Sequence, residues 1–167
     1  MTYADLIKRL VLPEGFSPPA ELVFVDLNAT PISRHDLADD VRGINSSLDL
    51  IRQTRGGNWP TRDVTEEENY VDLVWHECEH RDGHSYTYVT RNADGGYLGC
   101  IYLYPLGRRV PLTQQLMEHD VDVSWWVTEK AYENGWYDTV YAALQEWVHQ
   151  RFPFQNPYYS NVEIPAT

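Results

Sequence analysis

Positive charge is what this chain has least of. Its 167 residues carry 13 lysines and arginines against 25 aspartates and glutamates, for a formal net charge of −12. That balance excludes the usual means of gripping a DNA or RNA backbone or an anionic membrane, since each needs a basic face. It suits a soluble protein. Cysteine is scarce as well. Cys78 and Cys100 each lie in an apolar pattern and read as small core residues in a reducing compartment, a single bridge being the alternative. No apolar run approaches the roughly 20 residues of a membrane span, and MTYADLIKRLVLPEGF lacks the features of a secretory signal. A cytoplasmic location is the expectation. Repeats, low-complexity tracts and linkers are missing too. The chain is therefore expected to form one domain over residues 1–167, with 1–15 an arm or short helix and 153–167 a tail with room for a last strand.

What is present points to a packed core: 43% of the residues are hydrophobic and 13% aromatic. A short amphipathic piece over 2–10 precedes ELVFVDLN (21–28), which reads as a strand. Ser33 suits an N-cap, and Leu37, Val41, Ile44, Leu48 and Ile51 then follow at helical spacing. Thr65 with Glu68 forms a capping box for a second helix that Asp82-Gly83 ends. SYTYVTR (85–91) and YLGCIYLYP (97–105) make a hairpin across NADGG. VDVSWWV (121–127) is another strand. Tyr137, Val140, Tyr141, Leu144 and Val148 mark one face of a helix stopped by Pro153, and a last strand is expected around Val162. The order predicts an α/β fold with a mainly antiparallel sheet.

One short pattern raises a specific chemistry. His76-Glu77-x-x-His80 has the spacing of a zinc site with a glutamate base. On a helix turning about 100° per residue, Val71, Val74, Trp75 and Cys78 share one side, the expected core face. Both imidazoles then point away from it, beside Asn69, near a helix end that favours cations. No third ligand has a recognisable spacing, so no metal is expected and a zinc hydrolase is the third of three functional readings.

Order and local sequence together resemble a known family. NWP, TEEENYVDLVWHECE, HSYTYVT, YLGCIYLYP and VSWWVTEKAYENGW look like segments of a divergent member of the GNAT acyl-CoA N-acyltransferase superfamily, over roughly residues 16–155. The resemblance implies a GNAT-like central sheet flanked by helices, and acetyl-CoA as co-substrate. It also implies a loop after the 121–127 strand in which Arg or Gln comes first, Gly three residues on, and Gly or Ala two beyond. This chain has Tyr132, Gly135 and Tyr137 at those places. Gly135 matches the pattern; the two tyrosines depart from it, and Tyr137 blocks the phosphate unless its ring turns into the core. Cofactor contacts are assigned on this basis to Trp126, Val127, Tyr132, Asn134, Gly135 and Tyr137. A helix N-terminus there would receive a pyrophosphate without a lysine.

The implied reaction is attack of an amine on a thioester, which needs a base, an amide for the thioester oxygen and an acid for the thiolate. Asp122 (or Glu77) is the candidate base and Tyr158 (or Tyr159) the candidate acid. Trp59 is the candidate wall of a substrate pocket, and an aromatic, acidic pocket would suit a cationic amine. The leading expectation is acetylation of a small amine. The alternative is a catalytically inactive GNAT fold that has lost its cofactor site and serves as a binding module or as the partner of another protein. Neither reading involves nucleic acid or membrane, and both accommodate a homodimer.

Overall fold

The computed structural model describes residues 8–166. Residues 1–7 of the expected N-terminal helix lie outside that range, and from residue 8 the chain is not helical. Leu10 is buried there, its N–H donating to His84 O at 3.0 Å. A hairpin of β1 (Leu22–Phe24) and β2 (Leu27–Pro31) follows, with Phe24 opposite Leu27. The single strand expected over 21–28 is two, because Val25 takes a φ of 53° and helps reverse the chain.

Ser33 caps a 3-10 turn, Arg34–Asp36, and Asp36 returns a bond to the Ser33 N–H. The amphipathic stretch beyond it forms two helices, α1 (Leu37–Asn45) and α2 (Leu48–Arg55). The break falls at two serines whose hydroxyls compete with the helix for backbone bonds. Ser46 Oγ donates to Gly43 O at 3.0 Å, and Ser47 leaves helical geometry with φ −139°. Helix α3 (Glu66–Asp82) opens on the expected capping box of Thr65 and Glu68 and closes on Gly83, at φ 70°. Then come β3 (Tyr86–Asn92), β4 (Tyr97–Tyr104) and β5 (Val121–Val127). A short α4 (Glu129–Glu133), a long α5 (Trp136–Arg151) and β6 (Pro157–Tyr159) complete the chain. The last strand thus lies ahead of the expected position near Val162.

The six strands form one sheet in chain order, antiparallel throughout except for β5 and β6, which are parallel. A parallel pair requires a crossover, supplied here by α4 and α5. Alternation along β5 sorts its side chains between two cores. Val121, Val123, Trp125 and Val127 pack with α5 residues such as Val140 and Leu144. Trp126 packs with Ile44, Ile51 and Leu73 on the opposite face, beneath α1, α2 and α3. This is the mixed α/β architecture the sequence predicts. Among the described residues no helix is long and apolar enough to cross a membrane.

Candidate functional site

The parallel pairing of β6 covers only the first part of β5, from Val121 opposite Pro157 to Val123 opposite Tyr159. Past that point β5 has β4 on one side but no strand on the other among the described residues, and a notch opens between β5 and β6. Alternation decides which main-chain groups face the notch. Thr128 N–H donates to Leu98 O at 2.8 Å and Trp126 pairs with Cys100, so those groups belong to β4. Trp126 therefore offers the notch no amide, a correction to its assignment as a cofactor contact. Its side chain is equally committed, with Nε1 donating to Tyr102 Oη at 2.7 Å. The open side is left to Val123, Trp125 and Val127.

The chain itself fills this edge. Ser160 N–H donates to Val123 O at 2.9 Å. The Asn161 amide oxygen accepts from Trp125 N–H at 3.1 Å, while its nitrogen donates to Trp125 O at 2.9 Å. The second hydrogen of that nitrogen goes to Tyr137 Oη at 2.8 Å, and Tyr137 Oη donates to Glu163 O at 2.5 Å. Tyr132 Oη donates to Glu163 Oε2 at 2.8 Å, and Glu163 N–H to Thr54 O at 3.0 Å. Tyr137 is a core residue, its ring 5.0 Å from Trp125, but its hydroxyl fastens residues 160–163 into the notch.

Gly135 caps α5 with φ 83°, in the left-handed region that favours glycine, and open space surrounds a Cβ built there. Asn134 is exposed, its amide donating to Lys130 O at 2.8 Å. Asp138 lies in the first turn of α5, and the preceding α4 carries Glu129, Lys130 and Glu133.

Asp122 and Tyr158 are opposed across β5 and β6, at the beginning of β5. Four residues of strand separate Asp122 from Trp126, roughly 13 Å. Asp122 is 0% exposed and accepts from the Ser160 hydroxyl through Oδ1, leaving Oδ2 without a partner. Burial raises its pKa from the ordinary aspartate value, against the pull of Ser160, Arg109 and Arg55. The Tyr158 ring lies 5.3 Å from His119, whereas Tyr159 packs against Tyr141 on the α5 face. Glu77 is held by Arg34 in an ion pair of 2.8 Å on the outer side of α3.

Helix α3 is turned opposite to expectation. Val71 and Trp75 are 65% and 42% exposed, whereas Asn69, Leu73, His76 and Glu79 are buried. Polar partners under the helix explain the orientation. Asn69 Nδ2 donates to Asp40 Oδ2 at 2.8 Å, and His76 Nδ1 pairs with Thr87 Oγ1 at 3.0 Å. His80 sits among rings, 4.9 Å from Tyr86 and 5.5 Å from Tyr88, with Nδ1 unpartnered among the described residues. His76 Nε2 faces Asp72 at 3.3 Å. Glu77 lies on the far side, and the described residues include no cluster of three side chains able to share a metal ion.

Between α2, α3 and β4 lies a cavity of about 250 Å3, lined by Arg55, Trp59, Asp72, His76, Tyr102, Tyr104, Arg108 and Arg109. Trp59 is among the residues that line this cavity. Its walls are aromatic, and three arginines stand in them beside one acid, Asp72. The arginines were missed because Arg55 reads as the start of a loop, RGGNWPTRD, and Arg108-Arg109 as part of a polar stretch of low periodicity.

Solved structures of GNAT acetyltransferases share this arrangement of a mixed sheet and helices, and the chain has the GNAT fold. A GNAT-family acetyltransferase from Bacillus anthracis matches with a TM-score of 0.55 and 12% identity, covering 78% of this chain and 66% of that one. The Salmonella typhimurium acetyltransferase that modifies the N-terminal serine of ribosomal protein L7/L12 gives 0.59 and 11%, covering 78% and 69%. The L7/L12 α-N-protein acetyltransferase in complex with coenzyme A gives 0.57 and 12%, covering 75% and 66%. This chain spans about two thirds of the length of those proteins. No protein-family model and no curated protein matches its sequence.

Proposed function

We propose that the protein is a GNAT-fold binding module whose acyl-CoA edge is closed by its own C-terminal segment, and that its ligand enters the cavity beside Trp59. One observation carries the reading. The Asn161 amide takes both main-chain groups of Trp125, while Tyr137 and Glu163 occupy the space next to them. An acyl-CoA laid along β5 would need the same groups and the same space, so the residues present do not fit it as they stand. The acids that flank Gly135 in the chain further disfavour a pyrophosphate.

A second reading, N-acyl transfer from acetyl-CoA to an amine, is favoured by the helix start at Gly135, which keeps its left-handed geometry and open surroundings. In that reading residues 160–163 leave the edge when acyl-CoA arrives. Trp125 and Val127 then supply the main-chain groups, and Asp122 and Tyr158 are the candidates for proton transfer.

A thermal-shift titration with acetyl-CoA, on the native chain and on Asn161→Ala, separates the two. Ligand at 100 times its dissociation constant adds about 2.7 kcal/mol to stability. We expect no saturable shift in the native chain. A shift there favours the transferase reading; one confined to Asn161→Ala identifies the side-chain amide as the closure.

A further inference from the structure

The cavity beside Trp59 holds an arrangement of charge that the fold does not require. Arg55 is 7% exposed, deeper than an arginine normally lies without a carboxylate. Its guanidinium stacks on the Tyr102 ring, Cζ 3.9 Å from the centroid, and Nε donates to Ser124 Oγ at 3.1 Å. Among the described residues neither terminal nitrogen of Arg55 has an acceptor, and the side chain lines the cavity.

Arg109 stands next to it. Its Nη2 donates to Arg55 O at 2.8 Å and Ser160 O at 2.9 Å, and Nη1 to Gly56 O at 3.4 Å. Those neutral acceptors fix its position without cancelling its charge. Burial, and then the charge of Arg55, pull its pKa down.

The other charges in the lining are accounted for by partners. Arg108 meets Glu79 at 3.3 Å, and the half-exposed Asp72 at the rim lies 3.3 Å from His76 Nε2 and makes no ion pair with Arg55 or Arg109. Asp122 is the carboxylate behind Arg109; its Oδ1 accepts from the Ser160 hydroxyl and it makes no ion pair with either guanidinium. Among the described residues, no carboxylate forms an ion pair with Arg55 or Arg109. Two guanidiniums are therefore left over, in a recess walled by Trp59, Tyr102 and Tyr104, on a protein whose net charge is −12.

We propose that this cavity binds a small organic anion, a carboxylate or phosphate monoester carried on a flat apolar body. A guanidinium whose terminal nitrogens are free presents a planar fork that matches both groups. The aromatic walls take the body, and a volume of about 250 Å3 limits it to little more than one ring. The inference deepens the binding-module reading and rests on it for the location of the ligand. Acetyl-CoA titration reports on the β5 edge and anion titration on the cavity, so failure of one is distinguishable from failure of the other.

The test is a thermal-shift titration with phenyl phosphate, benzoate and, as the cation of like size, benzylamine. At least one anion should raise the melting temperature saturably at millimolar concentration while benzylamine does not. The stronger of the two anions assigns the head group. Arg55→Gln should weaken binding about tenfold or more, as loss of a charge-assisted fork predicts. Equal shifts with benzylamine, no shift with either anion, or an unchanged anion shift in a folded Arg55→Gln protein would overturn the proposal. Should that variant not fold, the native chain decides: the Trp59 indole N–H resonance, assigned by Trp59→Phe, moves saturably with the active anion if the site is real and stays still if it is not.

Discussion

The imidazole of His80 is held neutral by its surroundings, and that sets a pH dependence at the scale of one residue. Burial among Tyr86 and Tyr88 pushes its pKa from the ordinary 6.5 down to about 4. Between those values the unfolded chain binds a proton that the folded chain does not. Stability attributable to His80 is therefore fully present above pH 6.5 and is lost as pH falls toward 4. His80→Leu should flatten this part of the profile. Urea midpoints for both proteins at pH 7.5, 6 and 5 check it: other groups titrate alike in the two, so the gap between the curves should narrow or reverse as pH drops. A constant gap would mean that His80 is charged in the fold. At this scale the inward turn of Tyr137 was legible from its place in an apolar stripe, whereas Gly135 was singled out only by the family resemblance. Asn161 was not. Nothing local marks an asparagine in a polar tail as the partner of a strand 36 positions earlier.

Among elements, those with strong local signals matched their reading. Thr65 with Glu68, Gly83, and the hairpin turn between β3 and β4 all fall where side-chain chemistry places them. The facing of α3 did not, because its apolar residues are spread around the helix and its contacts with the sheet are largely polar. Helix phase is set there by Asp40 and Thr87, which lie on other elements. The β4–β5 contact gives a prediction of its own. A Cβ at Gly99 would lie 2.0 Å from Trp126 O and 2.8 Å from Val127 Cα, both main-chain atoms that no rotamer can move. Gly99→Ala should cost at least about 2–3 kcal/mol, by overpacking of the ladder. Chemical denaturation measures it, and a loss well under 1 kcal/mol would show that the strands part easily.

For the molecule as a whole, element order and the mainly antiparallel sheet could be read from periodicity and turn residues. Long-range closure could not. Arg109 is the clearest case: it ties the end of α2 to the C-terminal segment through Arg55 O, Gly56 O and Ser160. Three stretches distant in sequence meet on one side chain that local pattern leaves in a polar stretch of low periodicity. Arg109→Met keeps most of the volume and leaves those carbonyls without their charged donor. It should destabilise the protein by on the order of 2–4 kcal/mol, read by urea unfolding. A near-neutral result would mean that water replaces the guanidinium there.

The Asn161 side chain is, in chemical terms, a peptide group standing on its side. It offers one carbonyl and one N–H to Trp125, as the next strand of a sheet would. Any molecule that displaces it must return an acceptor and a donor at the same spacing, or strand two buried polar groups. The notch is thus selective before any ligand touches a pocket wall. Hydrocarbons and simple esters cannot supply that pair at all, and an amide-bearing chain that can must also undo the bonds by which Tyr132 and Tyr137 hold Glu163.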